Sequence, residues 1–163
     1  MSQESTTSTN PGVYRTVVAW IMIVVGALMM IGGVVAWFAV SANLRVEHMT
    51  VPDDASMSQG ATVAGPISAW AMQGVIHKHA LGATDGLTYA ELGDAVNEAK
   101  AEFGDDSPEA AQAQGMRTTA MNASFLRASL FTSILAFGVS ALATGTGLMG
   151  VLGGTVLLPR RKN

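Results

Sequence analysis

Two long apolar blocks, separated by a polar stretch, dominate the hydrophobic pattern of the chain. Residues 17–40 and residues 130–158 contain no charged side chain. The first block, as a helix, measures about 36 Å at 1.5 Å per residue, against a hydrocarbon core of about 30 Å. Trp20 and Trp37 lie near its ends, where indole rings prefer the membrane interface. The pattern therefore predicts one transmembrane helix in each block.

The first block has a rival interpretation, a cleaved signal peptide. Ala39, Val40 and Ser41 resemble the small-residue site at which such a peptide is cut. However, the apolar run far exceeds the roughly 7–15 residues of a signal-peptide core. An uncleaved anchor is the favoured interpretation.

Start and stop signals predict helices in the polar stretch. Gly65-Pro66 opens a helix to about Leu81. Thr88 and Glu91 have the spacing of a capping box, in which each residue satisfies a free backbone N–H of the other. That box predicts a helix from Tyr89 to about Phe103. Residues 44–51, which alternate loosely between polar and apolar, predict a short extended segment.

The second apolar block belongs to a longer predicted helix. Ser107 can cap its start, and Pro108 suits its first position. No proline interrupts the chain from there to Leu158, and Gly115 is the weakest point of this helix.

These elements predict an all-α membrane protein, a hairpin of two transmembrane helices with a mostly helical extracytoplasmic domain between them. Its parts are a disordered cytoplasmic tail (1–15), a first transmembrane helix (16–42), the helical domain (43–127), a second transmembrane helix (128–158, in a helix that starts near 108) and a basic cytoplasmic tail (159–163).

The distribution of charged residues predicts the orientation of the chain in the membrane and argues against one class of partner. The C-terminal tail carries Arg160, Arg161 and Lys162, and Arg15 precedes the first span. Three arginines flank the spans on the loop side, and long loops cross the membrane largely regardless of charge. Both termini are therefore placed in the cytoplasm of a plasma-membrane protein. Residues 43–127 hold 11 acidic and 5 basic side chains, which argues against nucleic-acid binding.

The composition excludes several kinds of site. The chain has no cysteine, so disulfides, zinc fingers, iron–sulfur clusters and cysteine nucleophiles are all excluded. His77 and His79 share a predicted helix, on which positions two apart point about 200° away from each other and cannot hold one metal ion. A half-buried His79 and a solvated His77 are expected instead. No metal or other cofactor is predicted.

Small residues recur in both spans and permit close helix approach in lipid. Gly150 and Gly154 form a GxxxG pair. Other small residues of the spans are Gly26, Gly32, Gly33, Ala36, Ala136, Ser140, Thr144 and Thr146. Two interpretations stay open: the two helices of this chain pack on each other, or the small residues form a face for another protein.

Two groups of residues resemble a family of small actinobacterial two-span membrane proteins. The first group is Thr118, residues 120–133 and residues 135–139. The second is Gly65-Pro66, Ile76, His79-Ala80, Thr84, Gly86 and residues 88–92. The similarity covers most of the chain from the first span onward, with additional residues around 93–114. Members commonly carry the label aromatic ring-opening dioxygenase LigA, so the resemblance implies an iron-dependent ring-opening dioxygenase, or a subunit of one, as one function.

The residues favour a different function. A ring-opening dioxygenase needs an iron site of histidines and a carboxylate, and the three histidines of this chain do not have that spacing. The leading hypothesis is a non-enzymatic membrane protein, an interaction or accessory subunit of a cell-envelope or respiratory complex, whose partners are the lipid bilayer and another membrane protein. The candidate interaction residues are Asn122, Ser124, Phe125, Arg127, Ser129, Gly150 and Gly154.

Overall fold

The computed structural model describes residues 11–159, and these form four helices. They are α1 (Pro11–Val46), α2 (Pro66–Ala83), α3 (Tyr89–Phe103) and α4 (Pro108–Leu157). The all-helical prediction is confirmed for this part of the chain. The predictions for residues 1–10 of the first tail and 160–163 of the second lie outside the described residues.

Two helices are long and apolar enough to cross a membrane, by length and composition. They are Gly12–Val46 within α1 and Pro108–Leu157, which is α4. In each, 17% of the most apolar stretch is buried within the protein. The core helix of a soluble protein has most of its apolar surface covered by other parts of the chain, and these helices do not.

The chain divides into two compact units. The helix pair is formed by the described residues of Met1–Ala39 and Gly138–Asn163. The central unit is Val40–Phe137. Its bounds differ from the predicted 43–127 because the last turns of α1 and the first apolar turns after Arg127 pack with it.

The capping signals place the helix ends where the sequence predicted them. The backbone N–H of Thr88 donates to Glu91 Oε2 over 2.8 Å at the start of α3. Gly104 ends α3 with a φ of 96°, a left-handed conformation that costs glycine little. The N–H of Ala110 donates to Ser107 Oγ over 3.2 Å at the start of α4. The helix then continues through Gly115 without a break.

The start and end of α1 correct two predictions. Residues 11–15, part of the predicted disordered tail, are helical, because a proline with its fixed φ is well suited to begin a helix. At the other end α1 continues to Val46, where an extended segment was predicted. Polar residues mark the end of an apolar span, but they do not stop a helix. Within the predicted extended segment, residues 44–51, only Thr50 makes a β-bridge, with Thr62.

The core of the central unit is thin. Its largest fully buried side chains are Phe137, Leu92, Val51, Val63 and Thr84. Thr84 ends α2, and its hydroxyl lies 3.0 Å from the Ala80 carbonyl oxygen and 2.6 Å from that of Leu87. Because this core contains few large apolar side chains, each of them contributes a large share of its stability.

The helix pair packs through glycine. A Cβ on Gly26 would lie 2.5 Å from the Gly147 carbonyl oxygen, and one on Gly154 would lie 2.6 Å from that of Ala19. Gly33 packs against Ser140 and Thr144 in the same way. The structure therefore shows the first of the two interpretations of the small residues, packing between two helices of this chain.

Candidate functional site

The candidate interaction residues fall into three places. Gly150 and Gly154 lie inside the helix pair, facing α1. Asn122, Phe125 and Ser129 are exposed on α4, and their spacings of three and four put them on one helix face. Ser124 and Arg127 border a separate polar cleft between α2, α3 and α4.

An apolar groove lies beside this exposed face, in the central unit. It has a volume of about 360 Å³ and separates α2 from α4. Small side chains form much of its lining: Ala80, Ala83 and Ala123. Leu126, which is 52% exposed, forms part of its wall. Thr119, Asn122 and His79 supply polar groups at the same groove.

A smaller polar cleft of about 70 Å³ lies between the end of α2, the start of α3 and α4. Its polar lining is provided by His77, Thr84, Thr88, Tyr89, Ser124 and Arg127. Alanines at positions 120 and 123 leave the space open, because α4 presents only methyl groups there.

Arg127 reaches across this cleft to α2. Its Nη1 lies 3.1 Å from Nδ1 of His77. A guanidinium can only donate hydrogen bonds, so His77 Nδ1 accepts, and in this arrangement the imidazole is neutral with its hydrogen on Nε2. The Nε of Arg127 is buried and has no hydrogen-bond partner within the described chain.

Arg117 occupies the same face of α4, further toward its start. Its guanidinium carbon lies 4.8 Å from the centre of the Tyr89 ring, and its Nη2 donates to the Tyr89 hydroxyl over 3.2 Å. Its Nε is likewise buried without a partner among the described residues. Neither arginine takes part in an ion pair there, since those pairs are Lys78–Asp54, His79–Asp54 and Lys100–Asp105.

His79 points to a different partner from His77. Asp54 Oδ2 lies 2.9 Å from His79 Nε2 and 2.9 Å from Lys78 Nζ. These contacts fix the loop that follows α1 onto α2. The two histidines therefore diverge as predicted. His77 is exposed as predicted and also contacts Arg127. The prediction of a half-buried His79 is wrong: its side chain is 55% exposed, because its partner Asp54 lies on an exposed loop.

The Lys78 ammonium, followed by His79, lowers the pKa of Asp54 from 3.8 to about 2 through hydrogen bonds. The lowered pKa stabilises the folded loop above pH of about 4, and this contribution is lost as the pH falls toward 2. We expect Lys78→Met to raise the Asp54 midpoint toward 3.8, measured by carboxyl-carbon NMR of the full chain in micelles.

The matched control for this titration is Lys100→Met, which removes a cation from α3 that pairs with Asp105 at 3.7 Å. It should leave the Asp54 midpoint unchanged. An unchanged midpoint in Lys78→Met would show that the hydrogen bond contributes nothing to the acidity of Asp54.

Sequence reasoning missed Arg117, Tyr89 and the cleft itself. The contact between Arg127 and His77 joins residues 50 positions apart, so no local sequence pattern predicts it. A weak signal was present, since Arg117, Ala120, Ser124 and Arg127 are spaced by three and four residues and share one face of a helix.

Within residues 11–159, no group of three histidine, aspartate or glutamate side chains is arranged to hold a metal ion. Comparison with protein-family models, with curated proteins and with solved structures finds no match for the chain.

Proposed function

We propose that this chain is a non-enzymatic, two-span membrane protein that binds another membrane protein through its central unit, as an accessory subunit of a cell-envelope or respiratory complex. The observation that carries the proposal is the exposed apolar surface of α4 beside the groove. Phe125 is 66% exposed and Leu126 52%. Exposed apolar patches bordered by polar groups are typical of interaction sites.

The bilayer is the proposed cover for the spans. Large apolar side chains on α1 and on the second half of α4 are exposed, among them Leu28, Phe38, Leu142 and Met149. Each square ångström of such surface removed from water contributes about 25 cal/mol, so a lipid environment stabilises both helices.

The proposed orientation places both termini in the cytoplasm and the central unit outside. It is supported by the basic residues at the two ends of the chain, Arg15 and residues 160–162. A phosphatase that is active only outside the cytoplasm should be inactive when fused to either terminus. The same enzyme inserted after Asp106, in the exposed turn before α4, should be active. Activity at a terminus would contradict this orientation.

The proposed occupant of the groove is a helix of a partner membrane protein. The groove lining combines small residues, which allow a helix backbone to come close, with polar groups at Thr119, Asn122 and His79. An amphipathic helix matches that combination, because its apolar face would cover the alanines and its polar flank would meet the amide of Asn122.

Photocrosslinking in living cells tests this function. A photoreactive residue at Leu126 should form an adduct with one defined membrane protein, and the same residue at Phe125 should give the same adduct. The matched control is Glu98, an exposed position on α3, which should not form it.

Other outcomes would contradict the proposal. Adducts with lipid alone, or with a second copy of this chain, would replace the partner helix by those occupants. A partnerless monomer after purification in mild detergent would remove the accessory role. Stoichiometric iron, lost on replacing His77 and His79, would favour the dioxygenase instead.

A further inference from the structure

The polar cleft of the central unit holds positive charge that nothing in the described chain neutralises. Arg127, which lines the cleft, is half-buried and pairs with no carboxylate among the described residues. Its Nε is buried without a hydrogen-bond partner among the described residues. A partly buried donor on a charged group costs free energy unless an acceptor reaches it.

The hydroxyl groups of the cleft differ in whether they already have a hydrogen-bond partner. The Thr84 hydroxyl is engaged by carbonyl oxygens of its own turn, and the Thr88 hydroxyl donates to Glu91. The Ser124 hydroxyl has no hydrogen bond within the described chain, and the Tyr89 hydroxyl, which accepts from Arg117, still has its own hydrogen to donate. The Ser124 and Tyr89 hydroxyls can therefore both donate to a ligand in the cleft, beside Arg127.

One carboxylate, that of Glu91, contacts a residue that lines the cleft, Thr88. Glu91 accepts hydrogen bonds from the hydroxyl and N–H of Thr88, which lower its pKa and keep it ionised. It does not line the cleft. The guanidinium that lines the cleft, that of Arg127, is not paired with this carboxylate, so the cleft remains suited to an anion.

The size and position of the cleft define the anion. The cleft offers about 70 Å³, several times the roughly 10–15 Å³ that one water needs on this measure, so it has room for a compact oxyanion. The fork of an arginine matches the oxygens of phosphate. Arg127 stands three residues before the apolar block that begins at Leu130, about 4.5 Å along the helix.

We propose that the cleft lined by Arg127, Ser124 and Tyr89 binds a phosphate group, supplied either by an anionic phospholipid headgroup or by free phosphate. His77 positions the arginine by accepting from Nη1. The bound phosphate accepts from the Nη hydrogens of Arg127 that do not donate to His77.

Two arms of one experiment separate the two sources. The full chain is placed in nanodiscs of phosphatidylcholine, and binding of inorganic phosphate is measured by phosphorus NMR. In parallel, native mass spectrometry measures retention of phosphatidylglycerol against phosphatidylcholine. Arg127→Gln should weaken whichever binding the wild type shows by about tenfold or more, as expected for one lost charged hydrogen bond.

The control variant is Arg45→Gln, which removes an exposed arginine from the loop-side end of α1. It should bind as the wild type does. A second variant, Ser124→Leu, fills the cleft from an exposed position without changing charge, and it should abolish binding even if Arg127→Gln does not fold.

Each result decides the proposal. Binding in the phosphate arm assigns free phosphate, and selective retention of phosphatidylglycerol assigns the headgroup. Absence of both in the wild type overturns the proposal. Equal losses in Arg45→Gln and Arg127→Gln also overturn it, because the effect would then reflect net charge.

Discussion

Replacing Gly26 by alanine is expected to destabilise the helix pair by about 1–3 kcal/mol, the usual range for overpacking a tight contact. The added Cβ would lie 2.5 Å from the Gly147 carbonyl oxygen and 2.8 Å from the Val151 nitrogen. Both are backbone atoms, so the helices have to move apart. At about 2–4 °C per kcal/mol, the thermal midpoint of the full chain in nanodiscs should fall measurably.

Gly32 provides the matched control for this substitution. It lies six residues further along the same helix, and a Cβ placed there meets nothing within 4 Å. Gly32→Ala should leave the midpoint unchanged or raise it slightly, because alanine is the better helix former. Equal shifts for the two variants would mean that α1 and α4 do not approach each other at Gly26.

Leu92→Ala is expected to destabilise the central unit by about 2–5 kcal/mol, the sum of lost apolar burial and of the cavity that remains. Leu92 is fully buried on α3 and is one of the few large side chains in this core. A domain of marginal stability, about 5–15 kcal/mol, would lose a large share of it. Limited proteolysis of the full chain should then cut the central unit at lower denaturant concentrations.

Two further variants separate packing from surface effects. Leu92→Met conserves volume and should cost less than about 1.5 kcal/mol. Ile67→Ala truncates an exposed side chain and should stay within about 0.5 kcal/mol. If all three variants resisted proteolysis equally, Leu92 would not belong to the core that stabilises this unit.

The helix ends of the central unit could be predicted because the signals are local. Thr88 and Glu91 lie within one turn of each other, and Ser107-Pro108 define the start of α4 by their own chemistry. The end of α1 could not be predicted in this way. Ser41 and Arg45 lie four residues apart and contact each other over 3.5 Å on the helix, so polarity ended the apolar span but not the helix.

The sites were harder to predict because they join distant segments. Helical spacing was enough to separate His77 from His79. Helical spacing could not predict their partners, because Asp54 lies on the preceding loop and Arg127 on another helix. The cleft also depends on the small side chains of Ala120 and Ala123, which leave space between the helices. A sequence shows that these residues are small, but it does not show that a cleft lies beside them.

The glycine contacts of the helix pair have a consequence for synthesis of the chain. Gly147 follows Gly26 by roughly 120 residues, which a ribosome adding about 5–20 residues per second needs about 6 to 24 s to deliver. During that interval the glycine face of α1 has no partner of its own. If α1 spans a membrane, as proposed, it must therefore remain inserted by its hydrophobicity alone, and in that time its glycines are open to helices of other proteins.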